Sequence, residues 1–154
     1  MDTQFTCRKK IGDSMTLITD NNRLNYMGNH FGFEVLKIES VLYGQARANI
    51  SEYDGGFWNF YDVRGIPLFV WEDMDMVTLS NTYQLEYKVR NIVACIAINL
   101  IIYSNLSFYY DEQNNDKMVK KMVDCFYGLK DWLYEDSLEF ISKEELSIIT
   151  RFID

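Results

Sequence analysis

The fold is decided by the stretch Tyr53-Asp54-Gly55-Gly56-Phe57-Trp58-Asn59-Phe60-Tyr61, an aromatic segment that follows two glycines. Side chains of a β-strand alternate between its two faces, so the rings of this segment fall on both of them. Large rings on both faces predict that other elements cover the strand on both sides. The paired glycines, which lack a Cβ, allow the chain to turn sharply into this strand.

Two more strands are predicted after the aromatic one. Arg64-Gly65 supplies a turn into the apolar run 66–71, and an acidic turn at 72–75 leads into the run 76–81. Consecutive strands with short connections usually pair with each other. We therefore expect an antiparallel meander of three strands, or slightly more, in which Pro67 lies at a strand start or on an edge.

Helices are predicted on both sides of this sheet. A short helix should run from Asp20 or Asn21 toward Phe31, and a central apolar helix should occupy 86–104. A helix with clear 3.6-residue spacing follows at 116, and a capping box of Ser142 and Glu145 predicts a final one. A further helix at 33–50 should turn four residues inward, namely Leu36, Tyr43, Ala46 and Ile50. The sequence thus predicts an α+β domain with about four to five helices.

Length and charge limit the classes of partner. The 154 residues suit one domain, with 1–22 expected as a loosely ordered N-terminal arm and 23–154 as the domain itself. The 23 acidic and 15 basic residues give a formal charge of −8. This charge disfavours strong binding to free DNA or to an anionic bilayer, and a cationic protein surface is the better partner.

The cysteines and the apolar segments indicate a cytoplasmic protein. Cys7, Cys95 and Cys125 are odd in number and form no C-x-x-C pair, which is typical of free thiols in a reducing compartment. The N-terminus lacks the long apolar run of a signal peptide. The most apolar segment, 92–103, is too short to cross a bilayer and contains Asn99, so we interpret it as a buried helix.

No catalytic machinery is evident. His30 is the single histidine, which excludes metal sites with several imidazoles, and its setting favours a helix-end residue over a general base. No phosphate loop, dinucleotide-binding glycine series, zinc-protease motif or nucleophile elbow is present. Acidic groups at 52–54 and 72–75 could form acid pairs or a weak Mg²⁺ site, but solvated turns are the better interpretation. We predict no enzyme, no metal and no cofactor.

The aromatic strand leaves a second interpretation open. Its rings could stack on single-stranded bases, which would make the protein a nucleic-acid-binding module. Such platforms usually have a basic surround, whereas Glu52, Asp54 and Asp62 surround this one. Packing in the core is therefore the better explanation for most of the rings. The acidic stretch 131–154 could also meet the basic groove of a DNA-handling enzyme.

An extended set of residues resembles one known family. The matched positions are Glu39, Tyr43, Tyr53, Gly55, Gly56, Trp58, Phe60 and Tyr61. In this order and spacing they are similar to the core signature of the ArdB/KlcA antirestriction proteins. The segment 92–95 resembles the central helix of that family, the segment 152–154 resembles its C-terminus, and Arg23 begins the similarity upstream. The resemblance covers 23–154.

The resemblance implies a function. It implies an antirestriction protein of a plasmid, phage or other mobile element, acting in the bacterial cytoplasm against type I restriction enzymes and not as a simple DNA mimic. Interference would be with the restriction complex or with its translocation along DNA. Among the matched charges, Arg23, Glu39 and Asp154 are the candidate partner-binding residues. The remaining signature residues are expected to be mainly structural: Tyr43, Tyr53, Gly55, Gly56, Trp58, Phe60 and Tyr61.

Overall fold

The computed structural model describes residues 14–81 and 85–154. Cys7 and the basic cluster Arg8-Lys9-Lys10 lie outside the described residues. The strands are β1 (Thr16–Leu17), β2 (Trp58–Val63), β3 (Ile66–Trp71), β4 (Met76–Ser80) and β5 (Glu86–Arg90). The α-helices are α1 (Arg23–Phe31), α2 (Val35–Asn49), α3 (Asn91–Glu112), α4 (Asp116–Glu135) and α5 (Lys143–Ile153). The α+β class and the expected number of helices are confirmed.

The aromatic strand lies in the middle of a three-stranded antiparallel sheet. Its order is β1-β2-β3, and Trp58 pairs with Trp71 while Phe60 pairs with Phe69. The expected meander of β2, β3 and β4 is therefore wrong in its last strand. The sheet contains β1 in place of β4. Part of the expected N-terminal arm belongs to this sheet, because Met15 and Leu17 are only 2% and 3% exposed. Burial of these two side chains holds residues 15–17 against the domain.

The other two strands form a separate hairpin. β4 pairs with β5 in an antiparallel register that sets Val77 opposite Val89. Residues 86–90 were expected to begin the central helix, and this expectation is wrong. The segment Glu86–Arg90 is short and follows a strand with which it can pair, and its inward Val89 completes the buried face of that strand. Pairing and burial override the helical propensity of Glu, Lys and Arg.

The outer edge of β4 is covered by the chain that leaves α2. Ser51 N donates to Thr78 O at 3.1 Å, and Asn49 Nδ2 donates to Ser80 O at 2.8 Å. The Glu52 carboxylate accepts from Thr78 N at 2.8 Å and from Thr78 Oγ1 at 2.9 Å. These bonds hold the pKa of Glu52 below its ordinary value, with Lys88 adding a smaller effect. Glu52 therefore has two structural partners, Thr78 on β4 and Lys88 on β5.

The outer edge of β3 is covered by polar side chains of α3, spaced one per turn. Asn99 Oδ1 accepts from Phe69 N at 2.9 Å, and Asn99 Nδ2 donates to Phe69 O at 2.8 Å. Two neighbours continue the row: Asn91 donates to Trp71 O, and Cys95 Sγ accepts from Trp71 N at 3.4 Å. Tyr103 completes it by donating to Pro67 O at 2.5 Å. The placement of Pro67 on an edge strand is confirmed.

The central helix is longer than the sequence predicted. α3 has 22 residues, and its most apolar 18-residue window has a mean hydropathy of 1.8, which by length and composition would allow it to cross a membrane. In this fold 67% of its apolar window is buried within the protein. α3 is the core helix, and it packs against β3 and against the helices α2, α4 and α5. Its start at Asn91 follows directly from the pairing of β5, which occupies the preceding residues.

The inner face of α2 differs from the predicted one. Leu36 and Tyr43 are 78% and 36% exposed, whereas Ile38 and Leu42 are buried together with Ala46. The expected inward positions were therefore wrong for Leu36 and Tyr43 and right for Ala46 and Ile50. Both sets have helical spacing, and the contact with α3 selects the second.

The last helix begins at a capping box. Ser142 and Glu145 exchange the two hydrogen bonds that this spacing predicts, so the expected final helix is confirmed. The Glu145 carboxylate also accepts from Arg90 Nε at 2.7 Å and from Arg90 Nη2 at 2.8 Å. One carboxylate thus caps α5 and joins it to the end of β5. The bonds from Arg90, followed by those from Ser142, hold the pKa of Glu145 below its ordinary value.

Replacing Glu145 with glutamine should make stability depend less on pH. A carboxylate whose pKa falls on folding contributes its stability above the pKa of the unfolded chain and loses it as the pH falls through the folded value. Because Arg90 is half exposed, we expect Glu145→Gln to lower the free energy of unfolding by about 1–2 kcal/mol at pH 7, and by less than half of that at pH 3. Urea denaturation at both pH values measures the difference. Glu144→Gln, an exposed change in the same turn, serves as the control, and equal losses at the two pH values would contradict the prediction.

Candidate partner-binding site

Arg23, the first residue of α1, lies with its guanidinium over two rings of the aromatic segment. The guanidinium carbon is 3.8 Å from the ring centre of Phe60 and 4.7 Å from that of Phe57. Stacking of this kind orients a cation through the negative face of each ring. Nη1 of Arg23 is buried and has no hydrogen-bond partner among the residues that the structure describes. Leaving a desolvated donor without an acceptor costs free energy, so an acceptor for Nη1 would stabilise this arrangement.

Glu39 lies on α2 and lines the same groove as Arg23. Its side chain is partly buried, and within 14–81 and 85–154 it forms neither a hydrogen bond nor an ion pair. One turn later, the pKa of Tyr43 is raised, first by burial and then by the charge of Glu39. Two opposite charges thus share a groove without pairing with each other.

The groove between α1, α2 and β2 has a volume of about 450 Å³. It is lined by Asp20, Arg23, Leu24, Met27, Val35, Leu36, Glu39, Phe57 and Phe60. Three of its apolar side chains are strongly exposed: Leu24 by 81%, Leu36 by 78% and Phe57 by 56%. Exposed apolar side chains around a few polar groups are typical of surfaces that bind another protein. The groove is the candidate partner-binding site.

The third matched charge lies elsewhere. Asp154 follows the last residue of α5 and is exposed. It does not line the groove that contains Arg23 and Glu39. The structure therefore brings two of the three candidate residues together and leaves Asp154 as a separate surface carboxylate.

Most of the aromatic signature residues lie in the core next to this groove. Trp58, Phe60 and Tyr61 are 2%, 3% and 0% exposed. Trp58 Nε1 donates to the hydroxyl of Tyr53 at 3.1 Å, and the Tyr53 ring meets the Trp71 ring edge-on with 5.0 Å between their centres. These contacts fix the strand that supports Phe57 and the Arg23 guanidinium.

The paired glycines meet a steric requirement at the entrance to β2. Both have a positive φ, 119° at Gly55 and 128° at Gly56. A Cβ on Gly56 would lie 2.3 Å from Asp73 Oδ2 and 2.7 Å from Trp71 Nε1, two atoms that are themselves hydrogen-bonded at 2.8 Å. Only glycine fits this approach.

His30 lines a second cleft, of about 470 Å³, at the end of α1. Its Nδ1 is 2.7 Å from Lys121 Nζ, and the His30 pKa is lowered, first by burial and then by the Lys121 charge. The two carboxylates of this cleft already have partners: Glu34 accepts from the Tyr110 hydroxyl at 2.7 Å, and Asp124 pairs with Lys120 at 2.7 Å. The cleft therefore offers His30 no free carboxylate partner for acid–base work.

The other candidate reactive groups have structural partners. Glu72 accepts from Tyr61 at 2.8 Å and from Asn59, and the described residues contain no group of three potential metal ligands. Burial raises the pKa of Cys95 to about 12 and that of Cys125 to about 11. Neither thiol is activated as a nucleophile.

Sequence reasoning missed two parts of these sites. The contact of Lys121 with His30 joins residues that are 91 positions apart, and no local pattern indicates it. The exposure of Leu36 was also missed, because this residue was assigned to the inward stripe of its helix. A signal for the groove does exist, since both helices carry more apolar residues than one inward face can accommodate.

The fold has a counterpart among solved structures, although no protein-family model and no curated protein matches the sequence. The structure of the KlcA and ArdB proteins is similar with a TM-score of 0.73 and 18% sequence identity, over 91% of this chain and 94% of that chain. Those proteins show antirestriction activity against type I DNA restriction systems in vivo but not in vitro. The resemblance of the aromatic signature is confirmed at the level of fold. This chain has the α+β fold of the KlcA and ArdB proteins.

Proposed function

We propose that this protein is an antirestriction protein that protects mobile-element or phage DNA from type I restriction enzymes in the bacterial cytoplasm. The observation that carries the proposal is the shared fold, which extends over 91% of the chain and relates it to proteins with that activity. Because one fold can serve several functions, a site must support the assignment as well. The groove with Arg23 and Glu39 supplies that support.

The groove favours action through a protein contact over action as a DNA decoy. Its exposed apolar rim suits a protein surface, since mimicry of DNA needs regularly spaced charges and not leucine and phenylalanine. Within the described part of the chain neither Arg23 nor Glu39 forms an ion pair, so a partner with complementary charges would supply one to each. We propose that a component of the type I restriction complex, or of its translocation along DNA, occupies this groove. Asp154 would contribute at a second point of contact.

The protein acts without catalysis in this proposal. The acidic residues at 52 and at 72–73 are bonded to the sheets, and both described thiols are buried. The alternative of a nucleic-acid-binding module loses its main support for a similar reason. The rings of Trp58, Phe60 and Tyr61 are buried and cannot stack on bases, which leaves Phe57 as the exposed ring of that segment.

Expression of the protein should raise the plating efficiency of unmodified phage on a host with a type I restriction system. It should leave plating on a restriction-free host unchanged, because the proposed target is absent there. Phage titres on the two hosts, with and without the protein, measure the effect. Absence of protection against several type I systems would contradict the proposed function, whereas protection against one would define its target.

A charge-removing variant tests the groove in the same assay. Glu39→Gln keeps the size of the side chain and removes its charge, so we expect protection to fall while the free energy of unfolding stays within about 1 kcal/mol of the parent. Glu144→Gln, an exposed carboxylate far from the groove in sequence, should leave protection intact. A combined loss of protection and stability would instead assign Glu39 a structural role.

A further inference from the structure

The His30 cleft concentrates positive charge in an acidic protein. It lies between the end of α1 and the first turns of α4, with three lysines of α4 along one wall: Lys117, Lys120 and Lys121. Lys120 is neutralised by Asp124. Lys117 and Lys121 have no carboxylate partner among the described residues, although the whole chain carries a formal charge of −8.

The contact between Lys121 and His30 leaves the positive charge of Lys121 unneutralised within the part of the chain that the structure describes. An ammonium group has only hydrogens to donate, so His30 Nδ1 must accept from Lys121 Nζ across their 2.7 Å distance. The imidazole is then neutral, and Lys121 forms no ion pair with any residue of 14–81 or 85–154. The cleft thus holds a partly buried cation whose observed hydrogen-bond partner is a neutral group.

We propose that this cleft binds a small phosphate-bearing anion. Phosphate oxygens would accept from the ammonium groups of Lys117 and Lys121. As Lys121 turns from His30 to the anion, Nδ1 becomes free to take up a proton from solvent, and the imidazolium would donate to the same anion. The volume of about 470 Å³ accommodates ligands from inorganic phosphate to a nucleoside monophosphate.

Proton uptake by His30 should make the binding depend on pH. The groups that act on the ring are Lys121 on α4, Asp62 on β2 and the neighbouring ring of Tyr26, whose centre is 4.6 Å away. Burial and Lys121 lower the His30 pKa, and Asp62 opposes them. A bound anion adds negative charge beside the ring and raises this pKa, so by linkage the affinity should increase as the pH falls.

The test uses the single histidine as a reporter. Its imidazole signals are followed by NMR while inorganic phosphate is added, and then adenosine 5′-monophosphate, with sulfate as an oxyanion whose charge does not change near neutral pH. We expect saturable shifts at His30 and Asn29. Sulfate should bind more tightly to protein with protonated His30 than to protein with neutral His30, by about tenfold for each unit by which binding raises the His30 pKa. Tighter binding of the nucleotide than of phosphate would identify a nucleotide site, and equal binding would identify a site for the phosphate group alone.

Matched lysine variants complete the experiment. Lys121→Gln should weaken anion binding by about tenfold or more, and the exposed Lys117→Gln should weaken it by a smaller factor. Lys130→Gln, on the same helix but outside the cleft, should bind as the parent does. The proposal is overturned by a lack of saturable shifts with any of the three anions, or by shifts that persist unchanged in both cleft variants.

Discussion

Replacing Asn99 with leucine should lower the free energy of unfolding by about 2–5 kcal/mol. The Asn99 side chain pairs with both backbone groups of Phe69, at 2.9 Å and 2.8 Å, and it is fully buried. Leucine has nearly the same volume, so the loss comes from a buried N–H and a buried C=O that remain without partners, at about 1–3 kcal/mol each. Urea denaturation with a two-state fit measures it.

The same helix offers a matched control. Asn105 is exposed on α3, and Asn105→Leu should change the free energy of unfolding by no more than about 0.5 kcal/mol. Hydrogen exchange locates the effect, because the amide of Phe69 should lose protection in Asn99→Leu and keep it in Asn105→Leu. A loss below about 1 kcal/mol for Asn99→Leu would mean that water or a neighbouring side chain replaces the two bonds.

Replacing Trp58 with alanine should cost about 3–5 kcal/mol, as large-to-small changes in a packed core do. Trp58 is 2% exposed, its indole nitrogen donates to Tyr53, and its ring meets the Tyr53 ring at 5.7 Å. The variant therefore leaves a cavity and also removes the partner of a buried hydroxyl. Urea denaturation measures the loss as a shift of the midpoint, provided that the dependence of the free energy of unfolding on urea concentration is unchanged.

The next residue in the chain provides the comparison for Trp58. Phe57 is 56% exposed, so Phe57→Ala should be nearly neutral for stability. The same variant removes one of the two rings that hold the Arg23 guanidinium, and it should therefore reduce protection in the plating assay. Equal destabilisation by Trp58→Ala and Phe57→Ala would show that the groove is closed in solution.

Local patterns in the sequence predicted the elements whose cause is local. The spacing of Met118, Met122 and Cys125 identified α4, and the pair Ser142 and Glu145 identified the start of α5. Alternation of rings around Trp58 identified β2. In each case the signal lies within a few residues, where periodicity or a cap determines the conformation.

Features that depend on distant contacts could not be predicted in this way. Residues 86–90 have good helix formers, and only the partner strand β4 makes them extended. Leu36 has helical spacing with other apolar residues, yet the direction of contact with α3 leaves it outside. Propensity and period determine which elements form, but the partner determines the end of an element and the face it buries.

The resemblance proposed candidate residues for the site, but it gave no information on how they are arranged. The resemblance selected Arg23 and Glu39, and the structure places them in one groove, whereas Asp154 lies apart. Which charges converge depends on how α1 and α2 cross β2, and no sequence spacing encodes that crossing. The cationic cleft was missed for the same reason, since it joins His30 to a helix far along the chain.

The row of side chains from α3 along β3 also affects how molecules of this protein meet one another. A free strand edge can recruit a strand from another chain, which is how cross-β aggregates grow. On β3 the outward backbone groups at Pro67, Phe69 and Trp71 are occupied by that row. This edge strand carries the most apolar sequence in the sheet, yet the backbone groups at these three residues are not free to pair with a strand of another molecule.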